Sequence, residues 1–455
     1  MNPSLPVPSP GLSFWHRTTR AFPHLNENQH ANVPRTTKFL IIGSGVSGLI
    51  TAYKLIESGI PGKDILILEA REAISGASGR NAGHIRPDPF RGFPAYAFLH
   101  GPHQARKILE NERAVLDEVR AFISANAIAC DFHATTTFDV CLTRASAAHA
   151  SASLAAYRAF GGDVSHVTYH DADAARAKTR VPAALAAHEW PAASVHPAKL
   201  CQWLLSAVIS AGAGLWTHCP ATEVTRRQHG DDSARCWAVT TPRGTVTAEN
   251  VVHCTNAWAA HLLPELCGFV TPLSSQVHAF VPPAGLAGGR GLQSTMSLRY
   301  GVDDHYFSVH QRPRDDGTVV VGGSGTNGEG DLSDEERAGM VTWDDTGFSR
   351  RKAENSEREF AAIAGAGAEE MRHGEGLDHA WTGLLGMTAD AVPLIGAVEG
   401  REGQWICAGF NGHGMARMFN AAGLVKLILG EPWEATGLPE CYRYSTERIS
   451  KFSKT

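Results

Sequence analysis

The chain has 455 residues, 43% apolar and 19% charged, with a formal net charge of −5. That length supports two lobes with separate cores, and that composition excludes a disordered chain. The acidic balance and the lack of any Lys/Arg run argue against a nucleic-acid partner.

Residues 1–35 are proline-rich and aperiodic, and read as a tail or surface wrap pinned by Phe14 and Trp15. They lack the apolar core of a secretory signal. "FLIIGSGVSGLITAYKLI" raises the membrane question by its length. Its glycines and regularly spaced polar residues favour a soluble unit instead, so no membrane partner is expected. Phe39–Ile42 predicts a buried strand, followed by a glycine turn and a helix that stops at Gly59. "DILILEA" predicts a second buried strand, which completes a βαβ unit. "GASGRNAGHIRP", residues 76–87, comes next. It is too glycine-rich for an ordinary helix and too polar for a buried strand.

The alanine-rich stretch 145–190 reads as helical. A helix over 198–211, a strand near 215 and another starting near Val224 follow. "GTVTAENVVHCTNAW" predicts a hairpin strand and then an apolar strand, Val251–Thr255. Residues 264–380 alternate strand-like and loop-like pieces, with a polar, helical and loop-rich stretch over 329–375. "NGHGMARMFNAAGLVKLILG" predicts an apolar helix with a glycine-rich start and Gly430 as its stop. Nine cysteines without a CxxC pair read as free thiols of a reducing, cytoplasmic setting, and no spacing suggests a metal site.

Gly43, Gly45 and Gly48 form G-x-G-x-x-G between a strand and a helix, with Glu69 closing the next strand about 20 residues on. Gly43 suits the tight turn, Gly45 a close approach to pyrophosphate, and Gly48 helix–strand packing. Ser44, Val46 and Ser47 share that turn and helix N-terminus. Glu69, followed by Ala70, is placed to accept from ribose hydroxyls. The motif alone leaves NAD and FAD open. The stretch after the second strand points to FAD, whose flavin lies beyond that strand. Gly76, Ala77, Ser78 and Gly79 would approach the phosphates, Arg80 would neutralise them, and Asn81, Ala82 and Gly83 would run along the flavin.

Together "GSGVSG", "LEA", "GASGRNAGHIRP", "VHPAKL", "CTNAW" and "GFNGHGM" resemble the D-amino-acid-oxidase-like FAD-dependent oxidoreductases, over roughly residues 36–430. That family includes sarcosine oxidase, glycine oxidase and gamma-glutamylputrescine oxidase, and "GASGRNAG" is most similar to the last branch. The resemblance implies an α/β fold of mixed α+β character. A Rossmann-type FAD-binding domain (36–100, 191–262 and 381–455) would interleave with a substrate domain (101–190 and 263–380) built on a mixed, largely antiparallel sheet. It implies Val224 near adenine, and Thr255, Asn256 and Trp258 near the pyrophosphate and flavin. Cys254 stands where the family often has alanine. Gly409, Gly412, His413, Gly414 and Met415 would lie at the ring, with the following helix aiming its positive end at the reduced flavin.

The implied reaction oxidises a C–N bond of an amine or amino acid to an imine by hydride transfer to flavin N5. O2 or another acceptor would then take the electrons. His84 and Arg86 follow the flavin loop; Arg86 reads equally as a partner for a substrate carboxylate or as a structural ion pair. Tyr306 reads as pocket lining or as sheet packing, and His305, His310 and Arg312 are weaker candidates. Gly383 stands near the place where sarcosine-oxidase-like relatives carry a flavin-linking cysteine, so FAD is expected to be non-covalent. Residues 270–325 contain no lysine of the kind relatives place over the flavin for oxygen, which leaves a dehydrogenase open. The competing readings are an aromatic-hydroxylase type, which normally shows "GD" where "GFNGHGM" stands, and a non-catalytic FAD-binding protein.

Overall fold

The computed structural model describes residues 3–227, 236–302, 305–326, 334–365 and 371–453. Parts of the polar stretch expected over 329–375, namely 329–333 and 366–370, lie outside the described residues.

Strand Thr36–Ile42 buries its last four residues and Ile65–Leu68 buries all of its side chains, as parallel strands covered on both faces require. They lie in a sheet ordered Leu394–Ala397, Gln404–Ala408, Gly244–His253, Thr36–Ile42, Ile65–Leu68, Gly214–Trp216. Its central pairs are parallel, and Leu394–Ala397 joins antiparallel at one edge. The register aligns Ile42 with both Leu68 and His253. Three strands therefore end at one level, and Gly43, Glu69 and Cys254 leave the sheet side by side. Helix Val46–Glu57 packs against Pro197–Ser210 and Asn420–Ile428 over one face.

The second sheet runs Gly376–Thr388, Val270–Val281, Val319–Gly323, Tyr306–Gln311, Thr295–Arg299, His133–Cys141, Ala186–Ser194, His84–Ile85. It is antiparallel except where Thr295–Arg299 meets His133–Cys141. Phe280 stacks on Phe360 of helix Arg350–Ala364 at 4.4 Å and anchors a separate core. The segment between Leu68 and His84 thus carries the chain from the first sheet to the second.

Three local expectations change. The alanine-rich stretch holds helices Arg144–Ala159 and Ala172–Thr179, but Ala186–Ser194 is a strand. It is paired on two sides, by His133–Cys141 and by Thr168–His170, so ladder bonds and burial override alanine's helical preference. The apolar helix expected in "NGHGMARMFNAAGLVKLILG" starts only at Asn420. Before it the chain makes tight turns, with Arg417 N donating to Gly414 O (3.3 Å) and Asn420 N to Arg417 O (3.0 Å). These turns accompany a fully buried Arg417 that bonds Glu112 and Tyr96. The hairpin strand and separate apolar strand expected over 244–255 are one strand, Gly244–His253, paired antiparallel with Cys236–Thr241 and parallel with Thr36–Ile42. The N-terminal stretch is pinned as expected: Phe14–Arg17 is a short helix capped by Ser13, and Trp15 is fully buried.

All nine cysteines are free thiols. Among the described residues no helix is long and apolar enough to cross a membrane, and no cluster could hold a metal ion.

Burial keeps several histidines neutral. It lowers His16, His253, His278 and His310 to about 4 and His196 to about 3. Unfolded imidazoles bind protons through about pH 6.5, well before these folded ones do. The unfolded state therefore holds more protons between pH 6.5 and 4, and stability must fall as pH drops through that window. Calorimetric Tm should be level above pH 7 and decline steeply below 6.5, and His253→Gln should flatten the decline. A Tm unchanged from pH 7 to 4.5 would contradict this account.

Candidate functional site

A cavity of about 480 Å³ opens where the three parallel strands end and faces the second sheet. Its first wall is the glycine turn. Gly43 has φ +110°, and a Cβ there would lie 2.6 Å from the Cys254 carbonyl oxygen. A Cβ on Gly48 would lie 2.1 Å from Gly43 O, so the helix seats directly on the turn. Gly43, Gly45, Val46 and Ser47 line the cavity; Ser44 and Gly48 stand behind it. The Ser44 hydroxyl donates to Glu69 Oε2 (2.7 Å) and accepts from Ile74 N (2.9 Å). Ser44 N also donates to Glu69 Oε2, and Arg71 N to Oε1, both at 3.0 Å. Glu69 thus pins the turn while it and Ala70 remain on the wall.

The 76–87 segment supplies the next wall. Ser78 Oγ accepts from Val46 N at 2.9 Å, which ties this loop to the helix start. Gly76, Ala77, Ser78, Arg80, Asn81 and Ala82 line the cavity. Gly79 and Gly83 turn away from it. A Cβ on Gly79 would strike His16 at 2.4 Å, and one on Gly83 (φ +77°) would lie 2.7 Å from Val195 O. These glycines answer to neighbours behind the loop.

Arg80 differs from expectation. Its buried guanidinium donates to Ser75 O (2.6 Å) and Thr382 O (3.0 Å) and lies 3.7 Å from Asp345. It braces the loop instead of projecting toward an anion. Burial lowers it to about 10 despite Asp345. Arg71, which the sequence reading missed, binds both oxygens of Asp345 at 2.9 and 3.0 Å and is itself on the wall. Val224 is a second correction. It pairs with Val239 in a hairpin away from the cavity, and Pro220 and Ala221 stand on the wall in its place.

Thr255, Asn256 and Trp258 line the cavity at the end of Gly244–His253. Asn256 Oδ1 accepts from Gly409 N (3.1 Å) and Phe410 N (3.2 Å), so this strand end holds the C-terminal loop. Gly409 and Gly412 both have φ +76°, whereas Gly414 needs no special backbone, contrary to the reading that grouped the three. Gly412, His413, Gly414 and Met415 are on the wall. His413 Nδ1 lies 3.3 Å from Glu112 Oε1, which also takes Arg417 Nε at 2.7 Å. Burial opposes ionisation of Glu112, but Arg417 and His413 outweigh it and hold the carboxyl at about 2.

The far end of the cavity is cationic. Arg86 Nε donates to Thr137 Oγ1 (2.9 Å), and its NH2 reaches Asp139 Oδ1 at 2.6 Å beneath the Trp190 ring. The ion-pair reading of Arg86 is realised, yet the residue still lines the cavity. Arg299 Nε donates to the same Asp139 oxygen at 3.0 Å, and Arg91 Nε lies 3.6 Å from Oδ2. Burial works against the Asp139 anion, but Arg299, Arg86 and Arg91 hold it well below the usual carboxylate range. Tyr306 lies on this wall with the Arg299 guanidinium 4.6 Å over its ring. The sequence reading missed Arg91, Arg299 and Asp139. The available signal was a lone charge inside an apolar strand: Asp139 in "TTTFDVC" and Arg299 in "TMSLR".

His84 is on the wall, kept neutral by burial, with His310 edge-on at 4.8 Å. His305, His310 and Arg312 are off it. They engage Thr326, the Ala82 carbonyl, and Asp131 with Asp316, respectively. Gly383 is on the wall, and the described wall residues include no lysine. Among the described residues, four buried polar atoms around the cavity have no hydrogen-bond partner: His84 Nε2, Thr255 Oγ1, Trp258 Nε1 and His261 Nε2. A glycine cradle, a strand-end carboxylate and unspent polar atoms along both walls fit a long polar dinucleotide.

Comparison with known proteins agrees. The DAO family model, FAD dependent oxidoreductase, matches residues 38–426. Gamma-glutamylputrescine oxidoreductase of Escherichia coli (strain K12) is 25% identical over 399 residues, covering 87% of this chain and 84% of that one. Glycine oxidase from Geobacillus kaustophilus has a TM-score of 0.64 at 19% identity, covering 88% of this chain and 96% of its own. L-proline dehydrogenase from P. horikoshii has a TM-score of 0.67 at 17% identity, covering 92% and 99%. At those identities the solved structures establish a shared fold, and the family match adds the cofactor. The chain belongs to the DAO family and is an FAD-dependent oxidoreductase.

Proposed function

We propose that this enzyme oxidises the C–N bond of an amine or amino acid that carries a carboxylate, with FAD held non-covalently. The observation that supports it is the convergence of Arg86, Arg91 and Arg299 on the single carboxylate of Asp139. With Asp88 also facing Arg91, three guanidinium groups stand against two carboxylates; this leaves a cationic wall, and a substrate carboxylate completes the balance. The relatives' names are consistent, since they refer to gamma-glutamylputrescine, glycine and L-proline.

On this reading the turn Gly43–Ser47 and residues Gly76–Ser78 receive the pyrophosphate, and Glu69 receives the ribose hydroxyls. Asn81, Ala82 and Gly412–Met415 border the flavin. Bound FAD supplies the two-electron acceptor. Arg299, stacked on Tyr306, orients the carboxylate. His84, neutral through burial, offers its unpartnered Nε2 as a hydrogen-bond acceptor that orients the substrate amine. His413 Nδ1 lies 3.3 Å from the Glu112 anion, a contact that holds the ring beside the cofactor. O2 or another acceptor reoxidises the enzyme. We read the first sheet as the core of the FAD-binding segments 36–100, 191–262 and 381–455. The second is the core of the substrate segments expected over 101–190 and 263–380, whose strands Ala186–Ser194 and Gly376–Thr388 run past those boundaries, with the 76–87 loop crossing between the two sheets. The free thiols fit a reducing, cytoplasmic setting.

Anaerobic mixing should bleach the flavin band with carboxylate-bearing amines and leave it intact with their decarboxylated analogues. Arg299→Met should raise KM for the former about ten- to a hundredfold, the worth of a charged hydrogen bond. Equal bleaching by both classes counts against the carboxylate. Acid precipitation should release the flavin into the supernatant; colour retained by the pellet would mean a covalent link. Gly412→Ala should lower Tm and flavin content, because alanine at φ +76° is strained. Gly414→Ala should not, because its Cβ would meet nothing closer than 3.7 Å. Equal effects at the two positions would refute this backbone assignment.

A further inference from the structure

Four successive carbonyls, of residues 79–82, each accept a hydrogen bond from a side chain outside the loop. Gly79 O takes Ser13 Oγ at 2.7 Å, and Arg80 O takes Trp381 Nε1 at 2.8 Å. Asn81 O takes Trp15 Nε1 at 2.7 Å, and Ala82 O takes His310 Nε2 at 2.7 Å. A helix or strand would satisfy such carbonyls through its own ladder. Here the donors stand behind the loop, while Arg80, Asn81 and Ala82 line the cavity in front.

Two of the four donors belong to the N-terminal segment, and the third rests on it. Trp381 stacks on Phe14 at 6.4 Å and meets Trp15 edge-on at 6.3 Å. Trp15 also packs edge-on against His196 at 4.8 Å. His16 occupies the space beside Gly79 where a Cβ would sit, and its Nδ1 bonds Ser13 Oγ at 2.9 Å. Further up the same segment, Ser4, Leu5 and Pro6 line the cavity themselves.

We propose that the N-terminal segment is a working part of the cofactor site, in which Ser13 and Trp15 are positioning residues that hold the 79–82 loop in its FAD-binding shape. The inference rests on reading that loop as a cofactor wall. Its physical basis is preorganisation. A loop whose carbonyls are already drawn to the rear loses little freedom when a ligand arrives in front. Without the Trp15 or Ser13 donor, a buried carbonyl is left without its partner, and the loop gains a reason to turn.

The test uses the full-length chain. Trp15→Phe keeps the buried ring and removes only the N–H. Ser13→Ala removes the hydroxyl, and Ser13→Thr restores it. Trp433→Phe, a buried tryptophan remote from the cavity, is the control for general destabilisation. Each protein is stripped of flavin and titrated with FAD, following the quenching of flavin fluorescence. Its apoprotein Tm and the reduction potential of the reloaded flavin are also measured. Trp15→Phe and Ser13→Ala should weaken FAD binding about tenfold or more and displace the potential. Ser13→Thr should recover both values, and Trp433→Phe should change Tm alone. Wild-type FAD affinity in both Trp15→Phe and Ser13→Ala overturns this inference by itself. Wild-type protein that takes up no FAD overturns the cofactor reading and this inference with it.

Discussion

The close approach of Gly43 to the Cys254 carbonyl governs the architecture of the site. Strands Thr36–Ile42 and Gly244–His253 end together, and only a residue without a side chain can turn at that point. The turn then sets the start of helix Val46–Glu57, whose Gly48 has room only for hydrogen above Gly43 O. Ser44, held in that turn, reaches Glu69 and Ile74, and so fixes where the chain leaves the second strand. From there the segment crosses to the second sheet at His84–Ile85. One steric constraint thus fixes the glycine turn, the strand-end carboxylate and the crossing loop in sequence.

How much of this was legible in the sequence depends on the range of the interactions. The βαβ unit, its three glycines and Glu69 are local in sequence, and their patterning placed them correctly. The 76–87 stretch was recognisable as a special path, but Gly79 and Gly83 are small for the sake of His16 and Val195, more than sixty residues away or more in the chain. Arg80 looked free because Thr382 and Asp345, which engage it, come from a remote part of the chain. Val224 was misplaced by a few residues because hairpin geometry, not strand composition, decides which part reaches inward. Ala186–Ser194 read as helix because alanine's intrinsic preference is weak beside strand pairing on both edges. Arg299 and Asp139 lie on neighbouring parallel strands, a pairing that no local window reveals.

Three of the buried carboxylates around the cavity are each contacted by more than one basic side chain. Asp345 faces Arg71 and Arg80; Asp139 faces Arg86, Arg91 and Arg299; Glu112 faces Arg417 and His413. A buried cation without a counter-charge is costly, and a fully neutralised one has little attraction left for a ligand. A shared carboxylate sits between these limits. It holds the guanidinium groups in fixed geometry and leaves a residual positive charge at the wall. On the proposed reading the three places correspond to the negative parts of the bound system: the pyrophosphate end, the substrate carboxylate and the reduced flavin. The charge-bearing residues come from elements far apart in the chain: Asp139 and Arg299 from neighbouring strands of the second sheet, Glu112 from helix Pro102–Ala125, and Arg417 from the turns before Asn420. Each carboxylate meets its partners only once the tertiary fold brings those elements together around the cavity.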